Sequence, residues 1–356
     1  MSAKHTTTVT LGLLLLGSLS VLLSQNGPNP ARAAVPVDSR SLDGTRRIDF
    51  VRAFASEKDV NPKRSFLKRM VDFVAGPPEY RQMVRPYGIA TDSQGRILIT
   101  DPGALCVHIF DFDRKKYTHL DGSPREKFES PIGVAVDAED NIYVTDSRLG
   151  KLLVFDSRGK FLRFLGDRRG EGFFKRPTGI AIDPREKRIY LSDTLAHKIF
   201  TLDLNGEILS SFGGRGDDPG KFNFPTDIAL RGGELVVVDA MNFRLQIFDR
   251  EGHFRAAFGT LGDRNGTVNR PKGVATDSEG NIYVAENLFE TVQIFNTRGQ
   301  LLYYFGETGS GPGEFQLPAG VWIDGRDRIY VADSFNRRVE VFQFVRDGAP
   351  SPRPEK

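Results

Sequence analysis

Six acidic side chains, Asp101, Asp146, Asp193, Asp239, Glu286 and Asp333, recur along the chain, each closing a short apolar run such as Asn141-Ile-Tyr-Val-Thr-Asp146. Carboxylates in such a series could ligate a cation if several converged, or pair with a basic neighbour. A basic residue does follow five positions later in four of the six: Lys151, Lys198, Arg244 and Arg338. A feature repeated along a chain serves the architecture common to all units, so a repeated ion pair is expected. The exceptions are more informative: Cys106 follows Asp101 and Thr291 follows Glu286 at that spacing. The stretches Asp137 to Asn141 and Asp277 to Asn281 could be mistaken for calcium loops. Calcium needs six to eight oxygens on one point, and these occur singly, so they read as Asx-type turns. Zinc chemistry has little to draw on. Of the five histidines, only His197 falls where a binding face is expected, whereas catalytic zinc takes three protein ligands. No Ser-His-Asp set, phosphate loop or nucleophile elbow is present, and no catalytic residue is assigned.

What positions these residues is a repeat. Pro86, Pro131, Pro177, Pro225, Pro271 and Pro318 open segments such as Pro131-Ile-Gly-Val-Ala-Val-Asp137, at intervals of 45, 46, 48, 46 and 47 residues. Two independent marks with one period exclude chance. Each unit carries four strand signals separated by Asx and glycine turns. Four strands per repeat, six times over, predict an all-β, six-bladed β-propeller. The sixth unit ends after its third strand, Val339 to Phe344, and an unassigned strand-like piece, Phe66 to Gly76, precedes the first. An N-terminal strand is therefore expected to close the last blade, with Phe66 to Gly76 supplying it and covering an otherwise open sheet edge.

The repeats resemble the NHL family, whose pattern runs Pro-x-Gly-Val-Ala-Val-Asp, Gly-Asn-Ile-Tyr-Val-Ala-Asp, then Asn-x-Arg and a Phe-Asp strand end. Asp277 to Glu286 and Leu317 to Phe342 match it closely, within a resemblance spanning roughly Phe66 to Phe344. The resemblance implies the fold and leaves function open, because NHL propellers include a metal-dependent peptidyl-hydroxyglycine lyase, RNA-binding domains and ligand-sensing or scaffolding modules.

In a propeller, the turns from second to third strand and the loops between blades share one face around the channel mouth. Cations and aromatics expected there are Arg85, Tyr87, Arg176, His197, Phe243, Arg270, Lys272, Phe289 and Arg337. Together they suit an anionic or carbohydrate-like ligand or a protein partner. Three departures from the repeat are expected near the same mouth: Asp227 for glycine, Glu286 for aspartate, and Trp322 where the other units have alanine. Trp322 either narrows the channel or fills a void left by a neighbouring blade. The expected function is a binding or scaffolding module with no cofactor. The alternative is a calcium- or zinc-dependent hydrolase or lyase at the same face, with Asp227, Glu286, Asn287 and Asn242 as candidate ligands.

The N-terminus predicts where this happens. Lys4, an apolar run from Val9 to Leu23 and Ala31-Arg32-Ala33 form an export signal over residues 1–33, cleaved or retained as an anchor. Residues 34–65 read as a flexible lead-in, 66–345 as the propeller and 346–356 as a disordered tail. A periplasmic or extracellular location follows, with membrane contact only through an anchor. The formal charge of +3 falls to +1 without residues 1–33, whose only charges are Lys4 and Arg32. Nucleic acid is not an expected partner. Cys106 is the single cysteine, so no internal disulfide forms.

Overall fold

A computed structural model describes residues 46–60 and 80–346. Within them lie six four-stranded antiparallel sheets. The first holds Ile89–Thr91, Ile97–Asp101, Cys106–Asp111 and Lys116–Leu120. The others open with Pro131–Val136, Pro177–Asp183, Pro225–Arg231, Pro271–Thr276 and Pro318–Ile323. Each opening strand packs against those of the sheets before and after it, and Pro318–Ile323 meets Ile89–Thr91 to complete a circle. This is the six-bladed propeller that the repeat predicts.

Burial explains why these residues form these strands. Second strands such as Ile142–Asp146 are buried throughout because both faces meet neighbouring blades. Outer strands such as Ile208–Gly213 are mostly exposed. The core therefore lies between blades: Leu98, Val107 and Ile109 of the first pack on Val134, Ile142, Val144 and Leu153 of the second. Inner strands approach so closely that a Cβ on Gly88 would lie 2.4 Å from the Ile132 carbonyl oxygen, and one on Gly320 2.1 Å from that of Tyr87. Only glycine fits there.

The six carboxylates are buried. Asp146 accepts N–H groups from Glu129 (2.8 Å) and Ser130 (3.0 Å) in the loop entering its blade, and from Arg148 (3.0 Å) and Leu149 (3.1 Å) in the next turn. One side chain thus fixes two loops. The expected ion pairs form in two blades, Arg244 to Asp239 at 2.8 Å and Arg338 to Asp333 at 2.9 Å. In the other two, N–H groups of the following turn bind the carboxylate instead. Lys151 instead donates to Glu126 and to the Gly170 carbonyl, and Lys198 is exposed. In the first blade the His108 ring stands 3.3 Å from Asp101 and 3.5 Å from the Cys106 sulfur. Cys106 is buried, and burial, reinforced by Asp101, pushes its thiol up to about 12. It stays a protonated, shielded core group.

The turn after each carboxylate ends on a left-handed residue: Leu105, Gly150, His197, Phe243, Glu290 and Arg337, with φ of 54°, 65°, 55°, 56°, 54° and 58°. Five of the six are not glycine. Such a conformation costs about 1–2 kcal/mol, so hydrogen bonds to the carboxylate must hold it.

Ring closure differs from expectation in its residues. The strand that pairs with Arg338–Arg346 is Arg46–Phe54, within the stretch read as a flexible lead-in. Phe66 to Gly76 lies outside the described residues, as do residues 1–45 and 347–356. Arg46–Phe54 escaped notice because an outer strand keeps one polar face, and its arginines and Asp49 obscure the alternation. A register shift between Phe50 and Arg52 breaks the period further. A short helix, Glu57–Val60, follows. No helix among the described residues is long and apolar enough to cross a membrane.

Phe54 anchors the closure, with its buried ring 4.9 Å from that of Phe110 and 5.1 Å from that of Phe112 in the first blade. Phe54→Ala is expected to destabilise the protein by about 3–5 kcal/mol in urea unfolding followed by tryptophan fluorescence. A loss under about 1 kcal/mol would mean that another segment closes the ring.

Candidate functional site

The six inner strands enclose a channel of about 290 Å³. Its two ends differ. At the end of the repeat prolines the lining includes Tyr87, Thr178, Thr226 and Asp227; at the other it includes Val136, Ile182, Leu230, Trp322 and Ile323. The polar end is the mouth, since Pro318 pairs with Asp333 while Ile323 pairs with Ile329 at the opposite edge of the blade.

Six residues expected at the mouth act on one another there. Lys272 has its ammonium held below the usual lysine range by burial and by repulsion from Arg270, Arg176 and Arg85, partly offset by Glu286. Burial and the charge of Asp227 push the Tyr87 hydroxyl up to about 12, opposed by Arg176 and Arg85. Asp227 itself is pushed up to about 7 by removal from water, despite N–H groups from Val274 and Ile228. Arg85, Arg176 and Arg270 are exposed, and Lys272 is half-buried. The opening therefore carries four cations around a phenol and a carboxyl that gives up its proton only near neutrality.

Asp227 also has a structural reason. In the first three blades the residue before the carboxylate is a hydroxyl that joins one blade to the next: Thr100 donates to the Ile132 carbonyl at 2.6 Å, Thr145 to Thr178 at 2.7 Å and Ser192 to Thr226 at 3.3 Å. The fourth blade has Val238 there. Asp227 supplies the missing link by accepting the Val274 N–H at 3.0 Å.

The remaining expectations fare differently. His197 is buried, its Nδ1 accepting the Phe224 N–H at 3.2 Å and its ring lying 4.7 Å from that of Phe224. It braces a loop instead of facing a ligand. Phe243 and Phe289 are half-buried in their turns, and Arg337 is exposed on the sixth blade. Trp322 sits at the far end of the channel and not at the mouth. Its indole N–H donates to Thr91 Oγ1 of the first blade at 3.0 Å, and its ring packs on the core between sixth and first blades. It fills the seam and also lines the far end of the channel.

The candidate metal ligands are mostly engaged elsewhere. Glu286 accepts the N–H groups of Asn269, Arg270 and Leu288. Asn242 donates to the Gly216 carbonyl and to Asp239, and Asn287 is half-buried with its N–H on the Arg270 carbonyl. Among the described residues no three of His, Cys, Asp and Glu gather as a metal site. Thr178 and Thr226 were not singled out from the sequence. Their signal was positional: each follows a repeat proline, in the same column as Tyr87 and Lys272.

A family model described as a 6-bladed beta-propeller matches residues 125–212 and 272–346, a little under half of the chain. The chain is a six-bladed β-propeller. It is similar to mouse peptidyl-glycine alpha-amidating monooxygenase, 29% identical over 153 residues, covering 39% of this chain and 16% of that protein. It is similar also to Drosophila melanogaster protein brain tumor, 26% identical over 136 residues, covering 37% of this chain and 13% of that one. The chain thus spans under a fifth of the length of these curated relatives. Among solved structures, a Xanthomonas campestris gluconolactonase superposes with a TM-score of 0.60 at 16% identity, covering 89% of this chain and 99% of that one. Virginiamycin B lyase from Staphylococcus aureus gives 0.54 at 16% identity, covering 73% and 95%. Likeness this remote carries the fold alone.

Between about pH 4, where an aspartate titrates in an unfolded chain, and about 7, where Asp227 titrates in the propeller, the native state holds the extra proton. Stability therefore falls as pH rises through that window. Asp227→Asn keeps an acceptor for Val274 and removes the charge. It is expected to raise the melting temperature by on the order of 10 °C at alkaline pH and to match wild type below about pH 4. Circular dichroism melts across pH check this; a pH-independent difference would assign the effect to packing.

Proposed function

We propose that this chain is an exported binding module that grips an anionic group, on a ligand or a partner protein, at the channel mouth. What carries the proposal is that Arg85, Arg176 and Arg270 each precede a repeat proline at the mouth, in alternate blades, with their charge helping to hold the Lys272 ammonium below the usual lysine range. Like charges held together by a fixed scaffold store repulsion that a bound anion relieves, and three guanidinium groups offer paired donors to carboxylate or phosphate oxygens. Tyr87 adds a neutral hydroxyl donor. Asp227, protonated near and below neutrality, adds another instead of a repelling charge. The export reading is supported by Val9 to Leu23 and Ala31-Arg32-Ala33; an exported module would meet its ligand in the periplasm or outside the cell, away from RNA.

A second reading is a hydrolase or lyase, favoured by one observation. A carboxyl that titrates near 7 on a channel wall is poised to accept a proton. Its metal-dependent form finds little support, because Glu286 and Asn242 are already committed to the backbone and to Asp239.

The test is a thermal-shift panel on purified protein with citrate, inorganic phosphate and galacturonate against neutral glucose. Ligand present at about a hundred times Kd adds about 2.7 kcal/mol, so anions should raise the melting temperature by several degrees and glucose should not. The double charge reversal R176E/R270E should abolish the shift without lowering the ligand-free melting temperature. Absence of any anion response, or stoichiometric calcium or zinc with lactone hydrolysis lost in D227N, would replace the binding reading with the enzyme.

A further inference from the structure

The mouth face carries a second pattern. The residue two positions after the second-strand carboxylate is Leu195, Met241, Leu288 and Phe335 in four consecutive blades. These side chains are 44%, 52%, 50% and 68% exposed. Leu317 and Val84, in the loops entering the sixth and first blades, are exposed beside them. Single exposed apolar residues need no explanation, but one register position repeated along four adjacent blades on one face makes a patch. The arc stops at the first and second blades, which have Gly103 and Arg148 there.

The arc and the cations are held by the same groups. In the fifth blade Glu286 accepts the Arg270 N–H at 2.8 Å and the Leu288 N–H at 3.1 Å. In the third, Asp193 accepts the Arg176 N–H at 2.9 Å and that of Ala196, next to Leu195, at 3.1 Å. A buried carboxylate thus ties together the backbone of a cation-bearing loop and of an apolar-bearing turn, twice, so both side chains project from backbone that is already ordered. Such a surface loses little conformational freedom when a ligand settles on it.

We infer that the occupant of this face is a peptide segment of another protein, carrying a carboxylate that enters the channel mouth and apolar side chains that lie along the arc. The inference rests on the anion-binding reading above and names its ligand class. A small anion has no use for the arc. A lipid surface has little use for cations grouped at one end of a channel whose whole volume is about 290 Å³, space for one side chain or a chain end. Charge complementarity to Arg85, Arg176, Arg270 and Lys272 requires the acid, and the arc requires the apolar neighbours.

The test selects a phage-displayed library of random dodecapeptides on wild-type protein and measures synthetic versions of the selected peptides by fluorescence anisotropy. The expected peptides combine Asp or Glu with Leu, Ile, Phe or Trp, and lose at least about tenfold in affinity, roughly 1.4 kcal/mol, against both L288S/F335S and R176E/R270E. L288S/F335S should keep the citrate thermal shift, which separates the two claims: loss of that shift in wild type defeats the anion reading, and its persistence without peptide binding defeats only this one. Selection of acid-free peptides, equal binding to L288S/F335S, or no enrichment would overturn the inference. So would arc-dependent sedimentation with phosphatidylglycerol vesicles in the absence of peptide binding, which would reassign the face to a membrane.

Discussion

The structure depends on a carboxylate buried at the end of each second strand. Its oxygens satisfy backbone N–H groups of the loop arriving from the previous blade and, in four blades, of the turn leaving toward the third strand; Asp239 and Asp333 reach that turn through the side-chain amides of Asn242 and Asn336 instead. Buried polar groups of this kind are costly when left unpaired, and six carboxylates meet that need at six equivalent places. Asp193, with Lys175, Arg176 and Ala196 on it, shows the arrangement in full. In the fifth blade Glu286 does the same with one more methylene, and burial there outweighs its N–H donors, raising its carboxyl above the usual range.

Because those carboxylates face inward, the charges they fix face outward. Arg176 and Arg270 are exposed because their own N–H groups are tied down at the blade end. The channel then grades from hydroxyls and Asp227 at the mouth to Leu230, Ile323 and Trp322 at its base. A ligand entering from the mouth meets polar groups first and an apolar floor beyond them.

How much of this was legible in the sequence depended on whether the signal was local. The proline and aspartate columns gave blade number and register, and with them the face on which Arg85, Tyr87, Arg176, Asp227, Arg270 and Lys272 meet. Trp322 was recognised as the odd member of its column, but four residues of strand separate it from Pro318, about 13 Å at 3.3 Å per residue, which is enough to place it at the opposite end. The partner of Asp227 lies in the next blade, at Val274, and no spacing rule reveals such a contact. His197 was misread because a left-handed turn residue can send its ring inward, onto Phe224. Arg46–Phe54 was hidden by the polar face that every outer strand keeps.

The closing ladder also sets how the molecule can be held. Arg46 lies opposite Arg346, and Phe54 opposite Val339, so the two strands of the clasp point their free ends away from the mouth. A pull shared between both ends would load the clasp like a zip, one rung at a time, whereas a pull through one end against a ligand in the mouth passes down the last blade.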